Sequence, residues 1–439
     1  MQPLSLLFSS ILAAGGSPAP QAAGTAIVGA RVEIGDGRVV ENGTVLVQGG
    51  KIVSVLSGGA VPTGVTTIDG KGLTVYPGFI DAYSTTGLKL PDPLPSGKDI
   101  PDTTTTAPAT MWHENRKGIR ADVKAADLLD LKGPFTDQYR SGITTVLLSG
   151  GTGTLAGTAA LVELADAPKV LVREAAEEIV LRGGGFRGGD EDMAGGQRRA
   201  PVADAAPTYA YPGTLFGITA LMRQTLIDAQ AYAKEPKPKS DPTYEGLRPL
   251  VTGRMPAMFT LTNAREIARA GHVADEFGFK MIVNGVGDAY RMVDLLKAKG
   301  APVIVSLDLP TEPSRTRAEA DTTPTRVLED RYAAWKERIG NAKTLDAAGV
   351  PIAFRSGTGG YLTKIRQLVT QSGLSRGAAL RAMTTGPARI FGVSDTLGTI
   401  EAGKTANLVL MTGDFLDEKS TVKTTLVEGV AHDTKETTK

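Results

Sequence analysis

The sequence has only three imidazoles, His113, His272 and His432, and no cysteine. Thiolate metal sites and disulfides are therefore excluded. A catalytic zinc centre needs about three nitrogen or carboxylate ligands, and these three histidines are scattered. His113 sits beside Trp112 and Glu114 after a Thr/Pro-rich stretch, where it could line a pocket mouth, although packing or surface exposure explains it as well. His272 falls in the helix-patterned AREIARAGHVADEFG, and His432 in the C-terminal tail. Ser149 and Ser306 close strand-like runs, but no motif places a base next to either. Carboxylates are more numerous: Asp92, Asp99, Asp102, Glu114 and the run Asp190-Glu191-Asp192. They lie in loop-like stretches, where charge runs are usually solvated. The segment GGTGTLAGTAALVEL (150–164) could offer backbone N–H groups to an anion. A tight strand-to-loop turn with small packing residues is the simpler expectation.

The elements that must carry these groups alternate along the chain. The 439 residues suit a large barrel with an accessory domain, and a 41% hydrophobic content can fill its core. Lys and Arg (48) balance Asp and Glu (47), which gives no electrostatic case for a nucleic-acid partner. Leu4 to Gly16 is an apolar run of signal-peptide length, too short to span a bilayer, so residues 1–24 are expected to be a leader or a disordered segment and the protein to be exported, periplasmic or extracellular. No other stretch is apolar enough for a membrane span. Residues 25–76 read as short strands with Gly turns, Gly49-Gly50 among them, and 394–439 has the same texture. The two ends are expected to form one composite β-sandwich. Between them, 77–393 alternates strand and helix patterns: ITTVLLSGG is a buried strand, and Ile267, Ala270, Ala274 and Phe277 make one helical stripe. About eight such units predict an α/β fold, a TIM-type (β/α)8 barrel, with an open doubly wound sheet as the alternative. The Gly-rich 182–201 lacks the context of a phosphate cradle and reads as a loop.

The two ends also carry recognisable motifs. Tyr76-Pro77-Gly78-Phe79-Ile80-Asp81-Ala82 resembles the first barrel strand of the amidohydrolase superfamily, Pro-Gly-x-Ile-Asp-x-His-x-His. Gly386-Pro387-Ala388-Arg389-Ile390-Phe391-Gly392, then Gly398-Thr399-Ile400-Glu401-Ala402-Gly403-Lys404-Thr405-Ala406-Asn407-Leu408-Val409, resembles that superfamily's closing signature. Leu226 to Leu309 is similar to the imidazolonepropionase-like branch. The resemblance implies a hydrolase acting on non-peptide C–N bonds, with one or two divalent ions such as zinc at the barrel mouth. Its ligands would be the His-x-His pair, two later histidines and a final Asp. Alternate residues on a strand share a face, which is how two imidazoles of one strand reach one ion.

Every matching position departs from that pattern. Tyr83 and Thr85 stand for His-x-His, Thr260 and Thr262 fall on the next ligand strand, Asn284 on the one after, and Gly357 takes the closing Asp position after Arg355 and Ser356. No residue is assigned to the family's bridging Lys or Glu. Asp81 shares the parity of Tyr83 about 7 Å deeper, at ~3.3 Å per residue, and is expected to hydrogen-bond the barrel floor. Such donors hold zinc poorly, and without a metal a water's pKa stays far above neutrality rather than falling to about 7. The expectation is a binding or assembly subunit without metal, cofactor or catalytic residue. Its polar pocket would be lined by Tyr83, Thr85, Thr260, Asn284 and Gly357, with Thr262, Arg355, Ser356 and His113 beside them. It would take a small polar ligand and form a homodimer or pair with an intact paralogue. The alternative is an active amide hydrolase with a metal site rebuilt from the loop carboxylates.

Overall fold

The computed structural model describes residues 24–58, 61, 64–89, 119–133, 135–150, 153–181, 214–316 and 323–433. The leader, His113 and the loop carboxylates at 92, 99, 102, 114 and 190–192 lie outside the described residues.

The N-terminal strands are β1 (Thr25–Glu33), β2 (Val39–Gln48), β3 (Lys51–Ser57), β4 (Thr66–Asp69) and β5 (Thr74–Pro77). The middle strands are β6 (Phe79–Ser84), β7 (Ile143–Leu148), β8 (Leu155–Glu163), β9 (Lys169–Val180), β10 (Ala257–Thr260), β11 (Met281–Asn284), β12 (Val303–Ser306) and β13 (Ile352–Arg355). The C-terminal strands are β14 (Leu408–Met411), β15 (Val422–Val427) and β16 (Val430–Asp433).

The two ends make one sheet in the order β16-β15-β14-β5-β1-β2-β3, with β4 also on β1. The join between the ends is β14 against β5, antiparallel from Leu408↔Pro77 to Met411↔Thr74. Ile27, Val32, Val45, Val75, Leu408 and Leu410 pack together in its core, which is why the two strand-patterned ends meet. The β2–β3 turn uses Gly49 and Gly50 at φ 57° and 76°, left-handed values that glycine reaches without a Cβ clash.

The second sheet runs β13-β12-β11-β10-β9-β8-β7-β6. Its outer strands β13 and β6 lie side by side and bring it nearly to closure as a barrel, the TIM-type architecture expected from the alternation. One strand breaks the repeat: β8 is antiparallel to both β7 and β9. The stretch 150–164, expected to be a turn, therefore holds a full barrel strand. It was hard to see because β8 is buried at every position, so no alternation marks it. Gly157, at φ +104°, is required there, since a Cβ would come 2.4 Å from the Val123 carbonyl.

The helices are α1 (Thr136–Arg140), α2 (Leu215–Lys234), α3 (Pro242–Val251), α4 (Ala264–Phe277), α5 (Val293–Lys299), α6 (Thr325–Ile339), α7 (Asn341–Ala347), α8 (Tyr361–Ser372), α9 (Arg376–Met383) and α10 (Thr385–Ile390). The predicted stripe on α4 is the buried one, with Asn263 capping its first turn and Gly278 ending it in the left-handed region. Helices α6 and α7 follow one another directly and are divided at Gly340. Among the described residues no helix is long and apolar enough to cross a membrane.

Candidate functional site

Strand ends of the barrel converge on one carboxylate. Glu178, on β9, is fully buried. Its Oε1 accepts from the Tyr83 hydroxyl at 3.0 Å and the Thr260 hydroxyl at 2.6 Å, and its Oε2 accepts from the Ser149 hydroxyl at 2.5 Å. The donors follow from strand geometry: Tyr83 lies near the end of β6, Ser149 follows β7, and Thr260 ends β10.

The hydrogen bonds continue in one direction. Asn284, ending β11, donates its amide N–H to Thr260 Oγ1 at 2.9 Å. Arg355, ending β13, donates from Nη1 to Asn284 Oδ1 at 3.4 Å. The donors thus run from a guanidinium, through an amide and a hydroxyl, to a carboxylate. Arg355 also lies over the Tyr83 ring, 5.1 Å from its centroid. Burial, and then the Glu178 charge, push the Tyr83 phenol well above its ordinary pKa, so it stays a neutral donor.

A cavity of about 680 Å³ opens over this network. Tyr83, Glu178, Thr260, Thr262, Ser306, Asp308 and Arg355 line it, together with the apolar Val305, Leu309 and Pro310. A smaller cavity of about 340 Å³ lies apart, between the start of α8 and residues 420–422, and contains none of these side chains.

The sequence-derived pocket is partly assembled as expected. Tyr83, Thr260, Asn284 and Arg355 come together, and Thr262 reaches the rim with its hydroxyl given to Glu266. Thr85 does not: it follows the end of β6 and is exposed, because the strand stops at Ser84 before the pattern's second position. Ser356 turns its amide to Asp81 at 2.9 Å. Asp81 therefore clasps the start of the loop after β13 to β6 rather than bonding the barrel floor. Burial raises its carboxyl pKa, and the bonds from Ser356 and Tyr83 oppose that rise.

Gly357, at the closing Asp position, is occupied from the side. A Cβ there would stand 2.5 Å from Asp308 Oδ1 and 2.6 Å from its amide nitrogen. Asp308 is fixed by the Thr358 amide at 2.7 Å and hydroxyl at 3.0 Å, and the Thr358 amide is the main reason its pKa falls below the usual carboxylate value. His272 is exposed on α4, and His432 stacks on Tyr139 at 4.3 Å. The Gly-x-Ser-x-Gly spacing occurs at Gly373 to Gly377, but Ser375 there caps α9 by accepting from the Ala378 amide at 3.1 Å. It is a helix cap rather than a nucleophile elbow.

Sequence reasoning missed Glu178. The available signal was a pair of glutamates, Glu177-Glu178, inside the run AAEEIV. Adjacent strand residues face opposite ways, so one of the two had to point into the barrel. Glu177 faces the other way, accepting from the Gly157 amide and the Thr158 hydroxyl, each at 3.3 Å, and burial raises its pKa to about 8.

These residues do not fit a divalent ion. Among the described residues Glu178 already accepts three hydroxyl protons, Asp308 is held by Thr358, and the other groups are a phenol, alcohols and an amide. Zinc sites use imidazole, thiolate or carboxylate, and calcium and magnesium sites are rich in carboxylate. Among the described residues no group of three or more His, Cys, Asp or Glu is placed to hold a metal.

Residues 257–431 match the amidohydrolase family model. An amidohydrolase from Thermotoga maritima has a similar structure, with a TM-score of 0.67 at 21% identity over 93% of this chain and 99% of that one. A prolidase crystallised with N-methylphosphonate-L-proline aligns with a TM-score of 0.51 at 17% identity, over 93% and 99% of the two chains. Phenylurea hydrolase B aligns with a TM-score of 0.52 at 16% identity, over 94% and 97%. The C-terminal part of the chain thus carries the sequence pattern of the amidohydrolase family, and its fold over nearly the whole length is similar to that of solved amidohydrolases.

Proposed function

We propose that this chain is a metal-free member of the superfamily that binds a small polar ligand in its barrel and does not perform metal-dependent C–N bond hydrolysis. One observation carries the reading: Tyr83, Thr260 and Asn284, at three of the ligand positions, spend their polar groups on one network that closes on Glu178. A hydrolase of the kind named for the prolidase or phenylurea hydrolase B would need an activated water. The hydroxyl and amide groups of this network carry no charge, and its one cation, the Arg355 guanidinium, has no lone pair with which to hold a metal ion, so the network does not supply the metal-bound water that such chemistry uses. A networked polar pocket is suited to holding a ligand by hydrogen bonds. A homodimer, or a complex with an intact paralogue, and an exported location remain part of the proposal.

The test is the metal content of the purified full chain together with its turnover. We expect zinc, iron and manganese far below one ion per chain, and no chelator-sensitive hydrolysis of dipeptide, dihydropyrimidine or imidazolone substrates. Near-stoichiometric metal with chelator-sensitive turnover would overturn the reading in favour of a site rebuilt from the carboxylates at 92, 99, 102, 114 and 190–192.

A further inference from the structure

We infer that Arg355 is the recognition group for a small organic monocarboxylate bound in the barrel cavity. This deepens the metal-free reading above and rests on it.

The starting point is how little Arg355 does within the fold. Among the described residues it makes one hydrogen bond, a long one of 3.4 Å to Asn284, and its buried Nε has no acceptor. No carboxylate lies within ion-pairing distance of it among the described residues, although other arginines of the chain hold such partners, as Arg376 and Arg381 do. Asp81 and Asp308 feel its charge without pairing with it directly, and a guanidinium drawn partly out of water with donors unfilled among the described residues is costly unless something completes it.

Its placement is nevertheless built. The Tyr83 ring supports one face of the guanidinium at 5.1 Å. Gly285, at φ +91°, leaves room on another side: a Cβ there would come 3.3 Å from Arg355 Nη2. A non-glycine residue at 285 would be strained and would crowd that nitrogen. Arg355 is thus held at the edge of a cavity, its Nη2 making no hydrogen bond among the described residues, with an apolar wall from Val305, Leu309 and Pro310.

A planar guanidinium matches a planar carboxylate in geometry and charge. A phosphate dianion fits less well. The same cavity carries Glu178 and Asp308 against Arg355 and Arg338, so its charges balance and a dianion would add two uncompensated negative charges where a monocarboxylate adds one. The apolar wall calls for a hydrocarbon or aromatic body on the acid. The volume of about 680 Å³ accommodates one larger than a single amino acid.

The probe is benzoate, compared with benzamide and phenylphosphonate, titrated into the full chain by calorimetry or ligand-observed NMR. Benzamide keeps the shape and loses the charge. We expect saturable benzoate binding at least about tenfold tighter than benzamide, and a loss of about tenfold to a hundredfold in Arg355→Gln. Arg355→Lys, which keeps the charge without the fork, is expected to lose about tenfold. Equal binding of benzoate and benzamide, absent benzoate binding, undiminished binding in a folded Arg355→Gln, or tighter binding of phenylphosphonate would each overturn the inference. If the variants fail to fold, the benzoate-to-benzamide ratio on the unaltered chain still decides it. Metal analysis of the same sample separates the two readings: bound stoichiometric metal removes the metal-free function whatever benzoate does, and anion binding that fails in a metal-free chain removes only the role of Arg355.

Discussion

Two regions of this molecule connect a buried glutamate with a partly exposed arginine, and they do so in opposite ways. At the seam between the composite β-sheet and the barrel, Glu33 is 2% exposed and is held by Arg31 at 3.1 Å and Arg376 at 2.9 Å. Arg376 also pairs with Asp414 at 2.6 Å and reaches the Tyr76 hydroxyl. Every charge at the seam is met by its opposite. At the barrel mouth, Glu178 accepts from the hydroxyls of Tyr83, Thr260 and Ser149, while Arg355 donates to an amide with a cavity in front of it. The seam is arranged to hold the chain's two ends onto its middle. At the mouth Arg355 makes no direct ion pair among the described residues and reaches Glu178 only through Asn284 and Thr260, an arrangement suited to the proposed ligand.

The largest effect that tests this contrast is at the seam. Arg376→Ala would leave Glu33 buried with Arg31 as its remaining partner, and would leave Asp414 without its guanidinium. Breaking a buried pair by removing one partner costs about 3–5 kcal/mol. Because Arg376 is about one-third exposed and Arg31 remains, about 2–4 kcal/mol is expected. The measurement is the urea midpoint of unfolding. A change below about 0.5 kcal/mol, the range of ordinary surface substitutions, would show that the seam is not held by these charges.

A second, smaller effect is expected at the mouth. Gly357→Asp restores the superfamily's closing residue in name, but its Cβ would stand 2.5 Å from Asp308 Oδ1. Overpacking of this kind costs about 1–3 kcal/mol, and a second carboxylate beside Asp308 adds repulsion. Gly357→Asp combined with Asp308→Ser is expected to recover most of the loss, because the clash and the like charge both come from Asp308. Equal destabilisation in the single and double variants would mean that something other than Asp308 requires glycine at 357.

How far the sequence revealed these two regions depends on chain separation and on side-chain parity. The composite sheet was legible because 25–76 and 397–432 share strand patterning and Gly turns, and hydrophobic burial leaves such ends little choice but to pair. The seam itself was not legible: Glu33 and Arg376 are 343 residues apart, and no local pattern couples them. At the mouth, Tyr83, Thr260 and Asn284 were found because the superfamily's motifs fix their strand ends. Thr85 failed because β6 ends one residue short of it. Strand β8 escaped because Gly, Ala and Thr buried on both faces show neither alternation nor a strongly apolar run. Glu178 escaped because it sits on β9, which antiparallel β8 precedes, outside the regular strand–helix repeat used to locate the other positions.

The smallest expected effect sharpens the contrast most. Arg355→Gln removes a guanidinium that makes one 3.4 Å hydrogen bond and no ion pair among the described residues. If the mouth is arranged for a ligand rather than for stability, this change should move the unfolding free energy by less than about 1 kcal/mol, since a typical hydrogen bond contributes about 0.5–1.5 kcal/mol net and this one is long. Relief of an uncompensated partly buried charge could even raise stability. Arg376→Ala and Arg355→Gln should thus separate by about 1–3 kcal/mol in the same urea titration. If Arg355→Gln instead destabilised as strongly as Arg376→Ala, the guanidinium at the mouth would be a structural strut like the one at the seam, and the cavity in front of it would need another explanation.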